Sequence, residues 1–323
     1  MIPLYTTGGT IASAPDATGG LSATYGGAFL AQGLDLEVHD LCCVPSPELG
    51  PFQWDLLATA IQDQESDLAL ITHGTDTMEY TAAALHFALA GWDKTVVLTG
   101  AMYAPNSPHF DGAKNLKFAL RMGQMLSRLN IRGVFIAMIP YLWLGARAQK
   151  RGYEALGFET PFRRPVGRSW RNGQHLNIDV ADLLEGLPSV TPAYRNFARD
   201  VGLLHLTPFT TTEQCISALK GLRALILHSY GAGGGPLEGP GALERFLDLA
   251  AQEDVAVINT TAAADGVDLN RYANGRRLQD RGLISGTTHT TACALAKASW
   301  ALSLGYDLRE IFAQDVAGET LPL

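Results

Sequence analysis

Leu68-Ala69-Leu70-Ile71-Thr72-His73-Gly74-Thr75-Asp76-Thr77-Met78 reads as a strand, a turn and the start of a helix in one short run. Residues 68–72 are apolar over the length expected of a buried strand. Residues 73–77 carry the glycine and hydroxyls that favour a turn. From 78 to 90 the apolar positions gather on one helical face. The same rhythm continues outward with a strand at 95–99, a helix at 115–126 and a strand at 133–139. Such alternation is the signature of a parallel sheet with helices on both faces. Between about 163 and 200 the rhythm is lost among Arg163-Arg164-Pro165, Arg168, Arg171-Asn172-Gly173 and several prolines, which places the domain connection there. It resumes with a strand at 224–227, a helix at 241–251, a strand at 255–258 and helices at 290–303 and 308–317. The expectation is an α/β protein. A large N-terminal domain, 1–190, holds a parallel-rich sheet flanked by helices, and a smaller C-terminal α/β domain, 201–323, follows it. No internal repeat or low-complexity tract interrupts the pattern.

Composition narrows the function classes. A chain of 323 residues fits one large or two ordinary domains at roughly 100–200 residues each. Hydrophobic residues at 47% and charged residues at 17% supply a core and exclude disorder. A net charge of −8 argues against a nucleic-acid partner, which requires clustered Lys and Arg. The start Met1-Ile2-Pro3-Leu4-Tyr5 lacks the basic and apolar regions of an export signal. No apolar run reaches the ~18 residues of a membrane-spanning helix. The expectation is a cytoplasmic protein with no membrane partner. Cys42, Cys43, Cys215 and Cys293 show no CxxC spacing, so they are expected to be reduced, mostly buried thiols rather than metal ligands. No metal and no cofactor is expected. Neither a GxSxG elbow nor an HExxH helix is present, and Gly231-Ala232-Gly233-Gly234-Gly235-Pro236 reads as a tight loop near the domain interface, not a dinucleotide fingerprint.

In open parallel sheets ligands bind where strands end and loops lead into helices. Two such loops are rich in glycine and hydroxyls. Thr6-Thr7-Gly8-Gly9-Thr10-Ile11-Ala12 follows an N-terminal strand, and its glycines permit positive φ and close approach of a substrate. An ordinary glycine turn with a capping threonine fits the same residues. In the second loop, 73–79, Asp76 or Thr75 caps the helix on one reading, with Glu79 at capping-box spacing. On the other, the helix N-terminus stabilises a substrate carboxylate or an oxyanion. His73 reads as a packed, hydrogen-bonded turn residue. Arg147-Ala148-Gln149-Lys150-Arg151 is a solvated basic face, or it delivers a lysine that holds a threonine hydroxyl ready as acid or base.

Thr7-Gly8-Gly9-Thr10-Ile11, followed downstream by His73-Gly74-Thr75-Asp76-Thr77-Met78, resembles the bacterial-type L-asparaginase/glutaminase family. Asp111-Gly112, Asn115-Leu116, Lys150, Leu225-Ile226-Leu227-His228-Ser229-Tyr230-Gly231 and Gly318-Glu319-Thr320-Leu321 fall where that family has counterparts, and the details are similar to its cytoplasmic type I branch. The resemblance implies Thr10 as nucleophile and Thr75, Asp76 and Lys150 as a second catalytic group. It implies that Asp76 also binds the substrate α-amino group and Ser46 its α-carboxylate. Ala101 matches a residue whose backbone contacts the side-chain amide, and Gly9 lies in the substrate loop. A lid over 14–27 carries the proton-relaying Tyr25, with Leu21 as the alternative register. The chain departs from the family at Pro45-Ser46-Pro47, where Asp-Ser-Ser is frequent, at Gly234, where relatives often carry asparagine, and at Ala263, where some type I enzymes have the cysteine of an allosteric asparagine site.

By this resemblance the expected reaction is hydrolysis of L-asparagine to L-aspartate and ammonia through a threonine acyl-enzyme, in a homodimer or homotetramer, with a small molecule as its ligand. Three alternatives remain open. They are a glutaminase-asparaginase of broader specificity, an amidotransferase-type subunit acting on misacylated tRNA, and a non-enzymatic metabolite-binding protein.

Overall fold

The structure is a computed structural model that describes residues 1–15, 20–23, 27–153, 157–161, 164–170, 175–179 and 196–320. The chain divides into two compact units, Met1–Pro192 and Ala193–Leu323.

In the first unit β1 (Ile2–Gly8) is followed by the paired short strands β2 (Ser13–Pro15) and β3 (Leu21–Ala23), then β4 (Leu36–Val44) and α1 (Pro51–Gln62). Next come β5 (Leu68–Thr72), α2 (Met78–Ala88), β6 (Thr95–Thr99), α3 (Gly112–Arg128), β7 (Gly133–Met138) and β8 (Tyr141–Leu144). The two-residue strands β9 (Gln149–Lys150) and β10 (Phe158–Glu159) pair with each other, and β11 (Gly167–Trp170) and β12 (His175–Ile178) complete the unit. One eight-stranded sheet runs β12-β11-β8-β7-β6-β5-β1-β4. β4, β1, β5, β6 and β7 are parallel, while β8, β11 and β12 add on antiparallel.

β1, β5, β6 and β7 are buried on both faces, which is why β5, β6 and β7 read as continuous apolar runs, while β4 at the edge is partly exposed. Leu4, Leu68, Leu70, Val97, Phe135 and Ala137 share a core with Leu116, Ala119 and Met122 of α3. The alternate residues Tyr5, Ile71, Val96, Leu98 and Ile136 are as deeply buried on the opposite face. Two sequence expectations change here. Helix α2 is not buried on one face only: every residue from Thr81 to Ala88 is buried. It packs against α1 and the turn Gly145–Arg147, and a Cβ on Gly145 would lie 3.1 Å from the Ala82 Cβ. The 163–200 stretch is not all connection, since β11 and β12 lie within it. They close the antiparallel end of the sheet, and their exposed alternate positions, Arg168 and Asn177 among them, hide them from an apolar count.

The second unit holds a parallel four-stranded sheet, β13 (Val201–His205), β14 (Ala224–Ser229), β15 (Ala256–Thr261) and β16 (Ile284–Ser285), in that order. Its helices are α4 (Thr212–Ser217), α5 (Glu244–Gln252), α6 (Ala273–Asp280), α7 (Thr291–Leu304) and α8 (Leu308–Phe312). Cys215, Leu225, Leu227, Phe246, Leu247 and Val257 lie at its core. The helix expected over 308–317 stops at Phe312. Beyond it the Glu319 carboxylate accepts the N–H groups of Val316 (3.1 Å) and Ala317 (2.7 Å), which folds the chain back on itself. The helix expected from 241 begins at Glu244. The thiols are less buried than expected. Cys215 and Cys293 are buried, but Cys42 is half-buried and Cys43 exposed, on the edge strand β4.

Candidate active site

Counted along the chain, the five parallel strands of the first unit stand in the order 2-1-3-4-5 across the sheet. The order reverses between β1 and β5, and a ligand crevice opens at the carboxyl ends of strands where such a reversal occurs. The loops leaving four neighbouring strands carry the residues selected from sequence. Ala101 follows β6, Thr75 and Asp76 follow β5, Gly9 and Thr10 follow β1, and Ser46 follows β4. Tyr25 and half of the expected lid, 16–19 and 24–26, lie outside the described residues.

Small residues let these loops touch. Gly9 adopts φ +79°, and a Cβ on it would sit 2.3 Å from the Gly74 Cα and 2.4 Å from its nitrogen. A Cβ on Gly74 would meet that of Ser46 at 2.7 Å, and one on Gly100 would meet the His73 carbonyl at 2.6 Å. Real Cβ atoms do not approach that closely, so Gly9, Gly74 and Gly100 are required by contact between loops. Hydrogen bonds then fix the arrangement. Thr7 Oγ1 donates to the Thr72 carbonyl at 3.0 Å, Gly9 N to the Val44 carbonyl at 3.2 Å, and Thr77 Oγ1 to the Ser46 carbonyl at 2.6 Å.

The capping readings of this region do not hold. Thr77 is the N-cap of α2 and makes no side-chain capping bond. Gly9, not Thr10, is the N-cap of the short 3-10 turn Thr10–Ala12. Freed from capping, Thr75 is buried and its Oγ1 accepts from Lys150 Nζ at 2.8 Å. The same ammonium pairs with Asp76, whose side chain is 68% exposed against 15% for Lys150. Lys150 is therefore not part of a solvated basic face, and Arg147 beside it is buried as well. With one lone pair of Thr75 Oγ1 taken by an ammonium, its proton and its second lone pair remain for a water or a ligand.

His73 is the packed turn residue expected. It is fully buried, and burial pushes its pKa down to about 4 against a hydrogen bond to Gly74 that pulls upward. A ring neutral at pH 7 has one donor and one acceptor. Nδ1–H donates to the Gly74 carbonyl at 2.6 Å. Since Nδ1–H is the ring's donor, Nε2 accepts from Thr81 Oγ1 at 2.9 Å, and that hydroxyl in turn accepts from Trp54 Nε1 at 2.8 Å. Both nitrogens are committed to holding the loop.

Two side chains that the sequence marks only as motif letters shape the Ala101 loop. Asp111 accepts from the backbone N–H groups of Met102 (3.1 Å) and Tyr103 (3.2 Å) and from Asn115 Nδ2 (2.9 Å). Asn115 also donates to the Gly100 carbonyl at 3.0 Å and accepts from Ile139 N at 3.1 Å. Asp111 is the N-cap residue of α3 yet makes no capping bond, because its carboxylate is spent on that loop. Glu79 stands at capping-box spacing, but it accepts the backbone N–H of Lys150 instead.

Among the described residues no group of three or more His, Cys, Asp or Glu could hold a metal ion. Cavities of about 420 Å³ and 400 Å³ lie at the amino ends of the second-unit strands and beside β11. Neither is lined by the four loops. Convergent hydroxyl, carboxylate and ammonium groups at a strand-order reversal select the loops, because reaction chemistry depends on placed groups and volume alone does not supply them.

The family model described as "Asparaginase, N-terminal" matches residues 1–181, and that described as "Glutaminase/Asparaginase C-terminal domain" matches residues 200–313. An L-asparaginase of Thermococcus kodakarensis is 32% identical over 97% of this chain and 97% of its own length. L-asparaginase 1 of Escherichia coli K12 is 29% identical over 89% of this chain and 86% of its own length. The solved thermostable L-asparaginase from T. kodakarensis superposes with a TM-score of 0.83 at 28% identity, covering 100% of this chain and 99% of that one. Two family models matched in order, over a fold whose hydroxyl-bearing loops converge at the strand-order reversal, establish that the chain belongs to the asparaginase family of amidohydrolases.

Proposed function

We propose that this chain hydrolyses the side-chain amide of L-asparagine to L-aspartate and ammonia through an acyl-enzyme on Thr10. The observation that carries the reading is the Lys150 ammonium held on Thr75 Oγ1 and Asp76, on the loop packed against Gly9. Pure binding does not require a second hydroxyl poised by a lysine beside the first.

Threonine is a weak nucleophile and needs activation. Thr10 Oγ1 bonds to the amide carbon, and its proton passes by way of Tyr25 to the nitrogen. The C–N bond breaks and ammonia leaves. Backbone N–H groups near Thr75 and Ala101 stabilise the oxyanion, each such donor being worth ~3–4 kcal/mol. Water held by Thr75, with Lys150 and Asp76 behind it, then adds to the ester carbon. The proton returns to Thr10 and aspartate departs. Ser46 takes the α-carboxylate and Asp76 the α-amino group. The working form is a cytoplasmic homodimer or homotetramer, which light scattering tests as a mass of two or four chains. Among the described residues no helix is long and apolar enough to cross a membrane.

Ammonia release from L-asparagine, L-glutamine and both D-forms is the deciding assay. L-Asparagine is expected to turn over fastest. Glutamine is disfavoured only modestly, because one methylene is worth ~1–3 kcal/mol. No release from any free amide, with release only in the presence of misacylated tRNA, would move the chain to the amidotransferase reading. Asp76→Ala is expected to raise KM for L-asparagine about tenfold or more and to lower kcat as well, since it removes both the ammonium partner and an ion-pair contact. An unchanged KM would remove Asp76 from substrate binding.

A further inference from the structure

The large sheet does not hold Lys150 in place. It belongs to β9, a two-residue strand that, among the described residues, pairs only with β10, through Phe158 opposite Lys150. Its ammonium must nevertheless reach Thr75 Oγ1, which stands on the loop between β5 and α2. The backbone N–H of Lys150 goes to the carboxylate of Glu79, in the first turn of α2. Thr75, Asp76 and Glu79 thus belong to one strand–turn–helix unit, and they grip Lys150 at both ends. Glu79 takes the main chain, and Thr75 and Asp76 take the tip of the side chain. A free lysine side chain samples many rotamers, so fixing its root is what gives its tip a single address.

Resting on the Thr10 acyl-enzyme reading, we propose that Glu79 is the positioning residue for Lys150: its carboxylate clamps the Lys150 backbone to α2 and so sets the ammonium on the Thr75 hydroxyl. Glu79 does not touch substrate and acts only through Lys150. The groups facing it are the charges of Lys150 and Arg151 and the hydroxyl-bearing Tyr80, its neighbour on α2, while Asp76 lies across the Lys150 ammonium. Burial pushes the Glu79 carboxyl up to about 7, against the Lys150 N–H bond and the two cations, which lower it. The clamp therefore titrates near neutrality. As an anion above that value it is the stronger acceptor of the two, while the neutral carboxyl still accepts, so kcat rises by no more than about threefold as the pH passes upward through about 7.

The test is kcat and KM for ammonia release from L-asparagine between pH 5.5 and 9, in wild type, Glu79→Gln, Glu79→Asp and Glu79→Ala. Glutamine keeps the acceptor at full reach without charge. Aspartate keeps the charge but is one methylene short. The expected result is that Glu79→Gln stays within about threefold of wild-type kcat and loses the inflection near pH 7. Glu79→Asp and Glu79→Ala fall about ten- to a hundredfold in kcat with KM within about twofold, since a misplacement of about 1 Å costs that much. The reverse order, with aspartate active and glutamine not, assigns the effect to charge and overturns the proposal. Wild-type kcat in Glu79→Ala also overturns it, as does a parallel loss of kcat, KM and thermal stability in Glu79→Asp. If Glu79→Ala does not fold, the Gln and Asp pair still decides. If wild type itself releases no ammonia, the Thr10 reading has failed instead, and that outcome is separate from a normal wild type beside an unaffected Glu79→Ala.

Discussion

Thr10→Ala is expected to lower kcat/KM for L-asparagine by at least about three orders of magnitude, the scale of losing a nucleophile. Its melting temperature should stay within a few degrees of wild type. Thr10 is only half-buried and is not the cap of its turn, and truncating such a side chain changes stability by about 0.5–1 kcal/mol. Ammonia release and a thermal melt on one preparation check both halves. Serine at the same position should restore a large part of the activity, because it returns the hydroxyl. Near-normal turnover in Thr10→Ala would remove the acyl-enzyme from the mechanism. A collapse of the melt together with activity would make Thr10 a structural residue of the loop.

The second large effect concerns stability. Lys297 and Glu319 form an ion pair at 2.5 Å with both side chains fully buried. The ammonium also donates to the Gln314 carbonyl at 2.7 Å and faces His289 Nε2 at 3.3 Å. Glu319→Ala strands a buried cation and frees the N–H groups of Val316 and Ala317, so the expected cost is about 3–5 kcal/mol. In a unit of this size that corresponds to a fall in Tm of roughly 10 °C or more. The double variant Lys297→Met with Glu319→Leu should recover part of the loss, since no charge is then stranded. A fall in Tm of under about 2 °C in Glu319→Ala would show that the pair contributes little. Burial would raise the Glu319 pKa, but the Lys297 ammonium paired with it, with His289 facing it at 3.8 Å, outweighs burial and holds the carboxyl well below its ordinary 4.5. Its contribution is therefore complete above 4.5 and is lost as the pH falls through the depressed folded value. The Glu319 variants should lose the corresponding part of the acid dependence of unfolding.

The central architecture is legible because it is written in local pattern. The runs 68–72 and 95–99 coincide with β5 and β6, since strands buried on both faces must be apolar throughout. β11 and β12 are not legible. They sit at the end of the sheet, where alternate polar positions face outward and mimic loop. The glycines of the first loop also carry their own signal, because contact between the Gly9 and Gly74 backbones admits no side chain.

Sequence by itself determined the α/β class and the strand–helix alternation through β5, α2, β6, α3 and β7, and it marked the loops proposed to carry the reaction. These depend on periodicity and on residue types within a few positions of one another. The tertiary structure decided what each polar side chain is for. Asp76, Thr75 and Glu79 all suit a helix start by spacing, yet none caps α2. Each is claimed by Lys150, 71 to 75 residues away. Asp111 likewise gave up its cap to hold the Ala101 loop, and Glu319 pairs with Lys297 while it holds the turn at Val316 and Ala317. A buried or half-buried polar group takes the strongest partner that folding brings within reach. Which partner that is depends on the order in which strands pair across the sheet, and no local window of sequence contains that order.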